Sequence, residues 1–223
     1  MIGSVHRSQV RQGPFPLARE GYALIATSAF ATAVFAIMGL SVPAVFSLMV
    51  TFFLGFFFRD PERVIPNENG VVVSPADGRV VDVDIVQGGH FAPEKMLKIS
   101  IFMSLLNVHV NRIPFEGKVT EIFYHPGKFF PANRDKASAD NERNVICMEM
   151  DGGRKLVVVQ IAGLIARRIV CRVCKGDYLM RGERFGIICF GSRLDVYLPP
   201  DTRPAVVVGD KVRAGTSAIG YVT

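Results

Sequence analysis

Two apolar runs, each able to form a β-strand, meet at a glycine and a serine in the stretch RFGIICFGSRLDVYLPP, residues 184–200. Glycine enters positive φ without steric cost, so Gly191 is predicted in a turn or bulge. Ser192 then sits on a sharp bend between strands, either as a turn residue or as a serine held where its hydroxyl can react. A reacting hydroxyl needs a base nearby, and the sequence offers two imidazoles. In NVHVNR, strand alternation puts Asn107, His109 and Asn111 on a polar face and turns Val108 and Val110 to the core. His109 is there a proton carrier suited to neutral pH, or a solvated or structurally hydrogen-bonded residue. His125 is the second. In SPADGRV, Asp77 is the tip of a hairpin, or a carboxylate at a strand end able to orient a histidine. The long polar segment YHPGKFFPANRDKASADNERN carries Lys128, Arg134, Lys136 and Arg143, which could meet a phosphate or simply be solvated. Phe129-Phe130 within it could touch lipid. The chain has no G-x-S-x-G elbow, P-loop, G-x-G-x-x-G or H-E-x-x-H.

These residues must be positioned by two different kinds of chain. Residues 22–58 contain no Asp, Glu, Lys or Arg, whereas one helical crossing of a bilayer takes about 20 apolar residues. Gly39 and Pro43 divide the run into a longer and a shorter part, as in a hairpin of helices. Arg7, Arg11 and Arg19 precede it and Arg59 and Arg63 follow, so both ends are predicted to be cytoplasmic. The run is too long for a secretory signal and lacks a small-residue cleavage site. A buried helical pair in a soluble domain is the competing reading. From about Val71 the sequence changes to short β-branched runs punctuated by Gly, Pro and Asp, which predicts a compact β-rich barrel or sandwich-like domain. A weak helical period falls at 136–142. The predicted fold is therefore α+β and mainly β, with a helical hairpin at 1–63 and a β-rich domain at 64–223.

Composition narrows the partners. A net charge of +6 and a pI near 9.3 call for an anionic surface, nucleic acid or lipid headgroups, without choosing between them. Four cysteines do not make a disulfide scaffold in a chain of this length. Cys171 and Cys174 form a C-x-x-C, but no histidine lies close in sequence to any cysteine. Buried, reduced thiols are predicted and no metal site.

Six blocks in order carry a resemblance: FFRDPER, SPADGRV, FMSLLNVHVNRIP, DNERN, QIAGLIARR and GERFGIICFGSRLDVYLP. Together they resemble the short bacterial and archaeal form of phosphatidylserine decarboxylase, over nearly the whole chain. The archaetidylserine decarboxylases, which act on a lipid with a different backbone, are closely similar. The resemblance implies a proenzyme that cuts itself between Gly191 and Ser192. The serine hydroxyl attacks the preceding carbonyl in an N→O acyl shift. β-Elimination then frees the upstream chain, and the resulting dehydroalanine hydrolyses to a pyruvoyl group. A β chain, Met1–Gly191, and an α chain, Ser192–Thr223, would stay together as a heterodimer able to assemble further. The pyruvoyl cofactor would take the amine of phosphatidylserine as a Schiff base, release CO₂ and yield phosphatidylethanolamine. By the same resemblance Asp77 and His109 are the partners of Ser192 in a triad. The long form of the family has two histidines three residues apart in this block and an LGST motif at the cut. Here His109 stands at the first place, Arg112 at the second, and FGSR at the cut. The reading gives both steps to His109, with His125 as reserve base. The implied partner is phosphatidylserine in an anionic membrane, not nucleic acid, at the cytoplasmic face of the cell membrane. Two other classes remain beside it at this stage. One is a non-enzymatic lipoyl- or biotinyl-like module, suggested by GDKVRAGTSAIGYV but lacking a lysine hairpin tip. The other is a membrane-tethered serine hydrolase.

Overall fold

The computed structural model describes residues 16–87, 94–128, 141–163, 168–189 and 191–222. The described chain divides into two compact units, one ending at Glu62 and the other beginning at Arg63. The Phe129-Phe130 pair, Arg134, Lys136 and most of the weak helical period at 136–142 lie outside the described residues, as do Arg7 and Arg11.

The first unit is a pair of helices, α1 (Arg19–Ile37) and α2 (Ser41–Phe57). The turn falls at Gly39, whose φ of +72° is the left-handed conformation that glycine reaches freely. Pro43 lies inside the first turn of α2, where the missing N–H costs no helical hydrogen bond. Four hydroxyls join the helices: Ser28 Oγ meets Thr51 Oγ1 at 2.8 Å, and Thr32 Oγ1 donates to Ser47 Oγ at 3.0 Å. Ser47 Oγ in turn donates to the Ser28 carbonyl at 3.1 Å. Small hydroxyl residues lie at the contact, and Leu24, Phe30, Phe46 and Phe52 are exposed. The helix α1, at 19 residues, is long and apolar enough to cross a membrane, and α2 is a shorter apolar helix.

The second unit is mainly β, as the spacing of turn signals predicts. In chain order its strands are β1 (Val71–Val73), β2 (Gly78–Gln87), β3 (Lys95–Met103), β4 (Val110–Arg112), β5 (Gly117–His125), β6 (Arg143–Glu149) and β7 (Lys155–Ala162). They continue with β8 (Arg168–Cys171), β9 (Tyr178–Leu179), β10 (Arg184–Cys189), β11 (Ser192–Leu198), β12 (Arg203–Pro204), β13 (Lys211–Val212) and β14 (Ala218–Tyr221). Among the described residues they form one large sheet, β13-β2-β3-β11-β7-β6-β5-β9, and two small ones, β4-β10-β8 and β1-β14-β12. The pairings between these strands are antiparallel.

Burial explains why β11 is central. Leu194, Val196 and Leu198 enter the main core with Ile99, Ile101 and Val158. On the other face, Val157, Val159 and Ile161 of β7 build a second cluster with Met96, Val145 and the half-buried Tyr197. A strand covered on both faces reads as a nearly continuous apolar run, which is how KLVVVQIA of β7 reads. Arg193 and Asp195 interrupt that pattern on β11 and satisfy each other through two hydrogen bonds, of 2.8 and 2.9 Å. Burial, and then the Asp195 carboxylate, push the neighbouring Tyr197 hydroxyl up to about 12.

Candidate active site

The chain leaves one sheet and enters another at Gly191. Strand β10 belongs to the small sheet β4-β10-β8, and β11 opens at Ser192 in the middle of the large one. Gly191 carries the turn with φ +64°, the left-handed bend predicted from its position between two apolar runs. Ser192 is fully buried, opposite Met103 of β3 on one side and Ala162 of β7 on the other. Its Oγ has no hydrogen-bond partner among the described residues. A buried hydroxyl without a partner is costly, and Ser192 Oγ shares that state with Ser100 Oγ and Thr202 Oγ1.

The segment 108–112 corrects one expectation. Alternation predicts Val108 and Val110 in the core and His109 and Asn111 on a polar face. The structure buries both sets: His109 and Asn111 are wholly inaccessible, and Val108 and Val110 nearly so. The reason is that a second sheet covers the polar side of β4, where Asn111 meets Gln160 of β7 rather than water. The backbone carbonyl of His109 accepts the Ile188 N–H at 3.4 Å, four residues before Ser192. From Asn111, Nδ2 reaches the sulfur of Met103 at 3.7 Å, and Met103 is the cross-strand partner of Ser192. His109 is thus held against β10, the strand that leads to Gly191.

Asp77 comes to the same end of the large sheet, because β2 begins at Gly78 where β3 ends and β11 begins. Gly78 is needed there: a Cβ would stand 2.3 Å from the Phe102 carbonyl oxygen. The Asp77 carboxylate is engaged on both oxygens. Oδ1 accepts the Ala214 N–H at 2.7 Å and Oδ2 accepts Arg63 Nη2 at 2.9 Å. Arg112, at the second histidine place of the long form, is buried and donates Nη1–H to the Gly182 carbonyl at 2.9 Å.

His125 is not brought to Ser192. It pairs with Arg143, Arg143 with Ile161, and Ile161 with Arg193. Paired residues share a face, so His125 lies on the face that carries Arg193, opposite to that of Ser192. Three strand spacings separate them, about 14 Å. A concavity of about 890 Å³ lies further off, between Lys118, Glu121, Cys147, Glu149, Lys155 and Lys175. Its β7 residues end at Val157, roughly 17 Å along the strand from Ala162.

Sequence reasoning named Asn111 but passed over the amides it joins. Asn144 Nδ2 donates to Gln160 Oε1 at 3.0 Å and Gln160 Nε2 donates to Asn111 Oδ1 at 2.9 Å. Asn141 Nδ2 donates to the carbonyl of Ala162, the neighbour of Ser192, at 2.7 Å. One signal was legible: a lone glutamine in the apolar run of β7. The thiols also depart from expectation. Cys189 is buried, Cys147 and Cys171 are half-buried, and Cys174 is exposed, because the C-x-x-C leaves β8 for a surface turn. Burial pushes the Cys171 thiol up, partly offset by hydrogen bonds to the Val173 backbone and the Asn144 side chain.

Fold and site define a class: a mainly β domain whose central strand opens on a buried serine behind a left-handed glycine, preceded in sequence by an apolar helical pair. A family model described as phosphatidylserine decarboxylase matches residues 50–220, which include Asp77, His109, Gly191 and Ser192. The phosphatidylserine decarboxylase proenzyme of Geotalea uraniireducens is 50% identical over 207 residues, 93% of this chain and 97% of that one. That of Geobacter metallireducens is 48% identical, covering 96% of this chain and all of its own. That of Solidesulfovibrio magneticus is 52% identical over 91% of this chain and 94% of its own. The chain belongs to the phosphatidylserine decarboxylase family, and so to a family of decarboxylating lyases of phospholipid biosynthesis. The reading as a non-enzymatic module is set aside by that membership.

Proposed function

We propose that this chain is a proenzyme that cuts itself between Gly191 and Ser192 and that the mature enzyme converts phosphatidylserine to phosphatidylethanolamine. The observation that carries the reading is the buried, unpartnered Ser192 Oγ directly behind a glycine at φ +64°. That orphaned oxygen suits a residue destined to be rebuilt as a pyruvoyl group. Once formed, such a group would supply a ketone that takes the substrate amine and draws electrons from the carbon losing CO₂.

The residues of the chain divide the remaining work. His109, buried against β10, takes the Ser192 hydroxyl proton as Oγ attacks the Gly191 carbonyl, and serves again as proton carrier during turnover. Asp77 keeps acceptor capacity beyond its bonds to Arg63 and the Ala214 N–H, since a carboxylate offers about four lone-pair sites. It thereby orients the imidazole and balances its positive charge. The distance and facing of His125 favour His109 for both steps.

The hairpin serves as the membrane attachment, with its Arg-rich flanks at the cytoplasmic face. The net charge of +6 concentrates the protein at anionic lipid. The β and α chains form a heterodimer after the cut.

Intact mass under denaturing conditions tests this reading. Two fragments split between 191 and 192 are expected, the smaller beginning with a pyruvoyl group in place of serine. Ser192→Ala should stay whole and without lipid decarboxylase activity, and His109→Ala should lose self-cleavage where His125→Ala keeps it. A single uncut chain in an active preparation refutes the mechanism.

A further inference from the structure

Three buried amides, on three strands of two sheets, form one directed chain that ends at Met103, the cross-strand partner of Ser192. Asn144 on β6 donates Nδ2–H to Gln160 Oε1 on β7, and Gln160 Nε2 donates to Asn111 Oδ1 on β4. Each bond dictates the sense of the next. Gln160 must receive at its oxygen and give at its nitrogen, so Asn111 is left with its oxygen occupied and its NH₂ turned outward. Among the described residues that NH₂ meets only the thioether of Met103, at 3.7 Å. Sulfur is a weak acceptor. A strong donor aimed at a weak acceptor in a dry site is a donor in reserve.

Its surroundings point to where the donor is used. Met103 and Ser192 are cross-strand partners, so their side chains leave the same face side by side. Ser192 Oγ is the other member of the pair with spare capacity, buried and without a partner among the described residues. Gly186 makes room for the arrangement. A Cβ there would stand 3.0 Å from Gln160 Nε2 and 2.2 Å from the Val170 carbonyl oxygen.

We propose that Asn111 is the hydrogen-bond donor to the leaving oxygen in the elimination step of self-cleavage, with Gln160 and Asn144 as its positioning residues. The proposal rests on the cut between Gly191 and Ser192 proposed above. After the acyl shift, Oγ of residue 192 is the ester oxygen linking its Cβ to the Gly191 carbonyl carbon. A base then removes the Cα proton of residue 192, and that electron pair forms the Cα=Cβ bond. The Cβ–Oγ bond breaks, and Oγ departs as part of the Gly191 carboxylate. No oxidant or further reactant is consumed. Negative charge grows on Oγ as its bond to Cβ lengthens, and a fixed N–H in a water-excluded site stabilises charge of that kind. The acyl shift makes the opposite demand, because a donor on Oγ would hold back the attacking lone pair. The uncut structure meets both demands by resting the Asn111 NH₂ on Met103 until the ester exists.

The test follows the full chain from synthesis in a cell-free system with phosphatidylglycerol vesicles, using intact mass and a hydroxylamine challenge. Wild type should pass from one mass to two fragments bearing a pyruvoyl end. If it never splits, the self-cleavage reading fails and this proposal falls with it. Given a wild-type cut, Asn111→Ala should mature about 10²–10³-fold more slowly, the usual loss for a single donor to developing negative charge. It should also accumulate a full-length chain that hydroxylamine splits at the ester, leaving an intact Ser192 at the new N-terminus. Gln160→Met keeps Asn111 but frees it, and should accumulate the same labile chain with a smaller slowing. Maturation of Asn111→Ala at the wild-type rate overturns the proposal. So does a chain that stalls in both variants yet resists hydroxylamine, because the block then precedes the ester.

Discussion

Asp77 and Arg63 form a pair that is only 11% and 14% exposed at the side chains, with N–O 2.9 Å. Such a pair differs from a surface salt bridge: removing one partner strands the other charge away from water. Arg63→Ala should therefore lower stability by about 1–3 kcal/mol, the cost of an unsatisfied buried group, as read by thermal unfolding in an uncut Ser192→Ala background. Arg63→Lys should recover part of the loss, since an ammonium restores the charge without the planar fork. If Arg63→Ala unfolds at the temperature of its parent, the pair contributes nothing and Asp77 is held by the Ala214 N–H alone. Sequence alone reads Asp77 first as a hairpin tip, because Pro-Ala-Asp-Gly is ordinary turn text. Its ion-pair partner, Arg63, comes from beyond the turn and is joined to it only by the fold.

Strands and turns decide how much freedom the bend has. Gly191 and Gly186 flank the end of β10, but for different reasons. At Gly191 a Cβ would meet nothing within 4 Å, so only the positive φ resists substitution. At Gly186 the φ is not positive, and it is space that forbids a side chain, the Val170 oxygen being 2.2 Å from the added carbon. Gly191→Ala should thus cost about 1 kcal/mol, the penalty for an L-residue in the left-handed region. Gly186→Ala should cost more, because β10 must move away from β8 and disturb Gln160. Urea midpoints of the two variants in the Ser192→Ala background check the order, and the reverse order refutes it. The strands around this bend were legible from apolar runs bounded by Gly and Pro. The burial of β4 was not, since alternation reports two faces of a strand but not whether a second sheet covers the polar one.

At the scale of the whole molecule, the proposed cut leaves an α chain that is woven into its β chain rather than appended to it. β11 is hydrogen-bonded between β3 and β7 over most of its length, β13 pairs with β2, and β14 with β1. Leu194, Val196 and Leu198 add fully buried side chains to the shared core, each worth about 1.5–3 kcal/mol of transfer free energy. The two fragments should co-elute on size exclusion in detergent and separate only in denaturant. Leu194→Ala, which opens a cavity at a cost of about 2–5 kcal/mol, should lower the denaturant concentration at which they part. Separation of wild-type fragments under native conditions contradicts this account of β11. The hairpin contributes a second whole-chain property, its outward apolar surface, which fits lipid better than water.

Local chemistry is why so much could be read beforehand. A charge-free run long enough for a bilayer, strands punctuated by Gly and Pro, and a glycine placed where positive φ is required are all determined by residues close in sequence. The order of six short blocks likewise identified the family without any contact being known. What only the tertiary structure decided are relations between distant residues. It buried the polar face that carries His109, and it put His125 on the far side of the sheet from Ser192. It closed Arg63 onto Asp77, and it threaded Asn144, Gln160 and Asn111 into one line of hydrogen bonds. Sequence spacing encodes which face of a strand a side chain leaves from. It does not encode what stands opposite that face, and that Met103 and Ala162 flank Ser192 was decided by the fold alone.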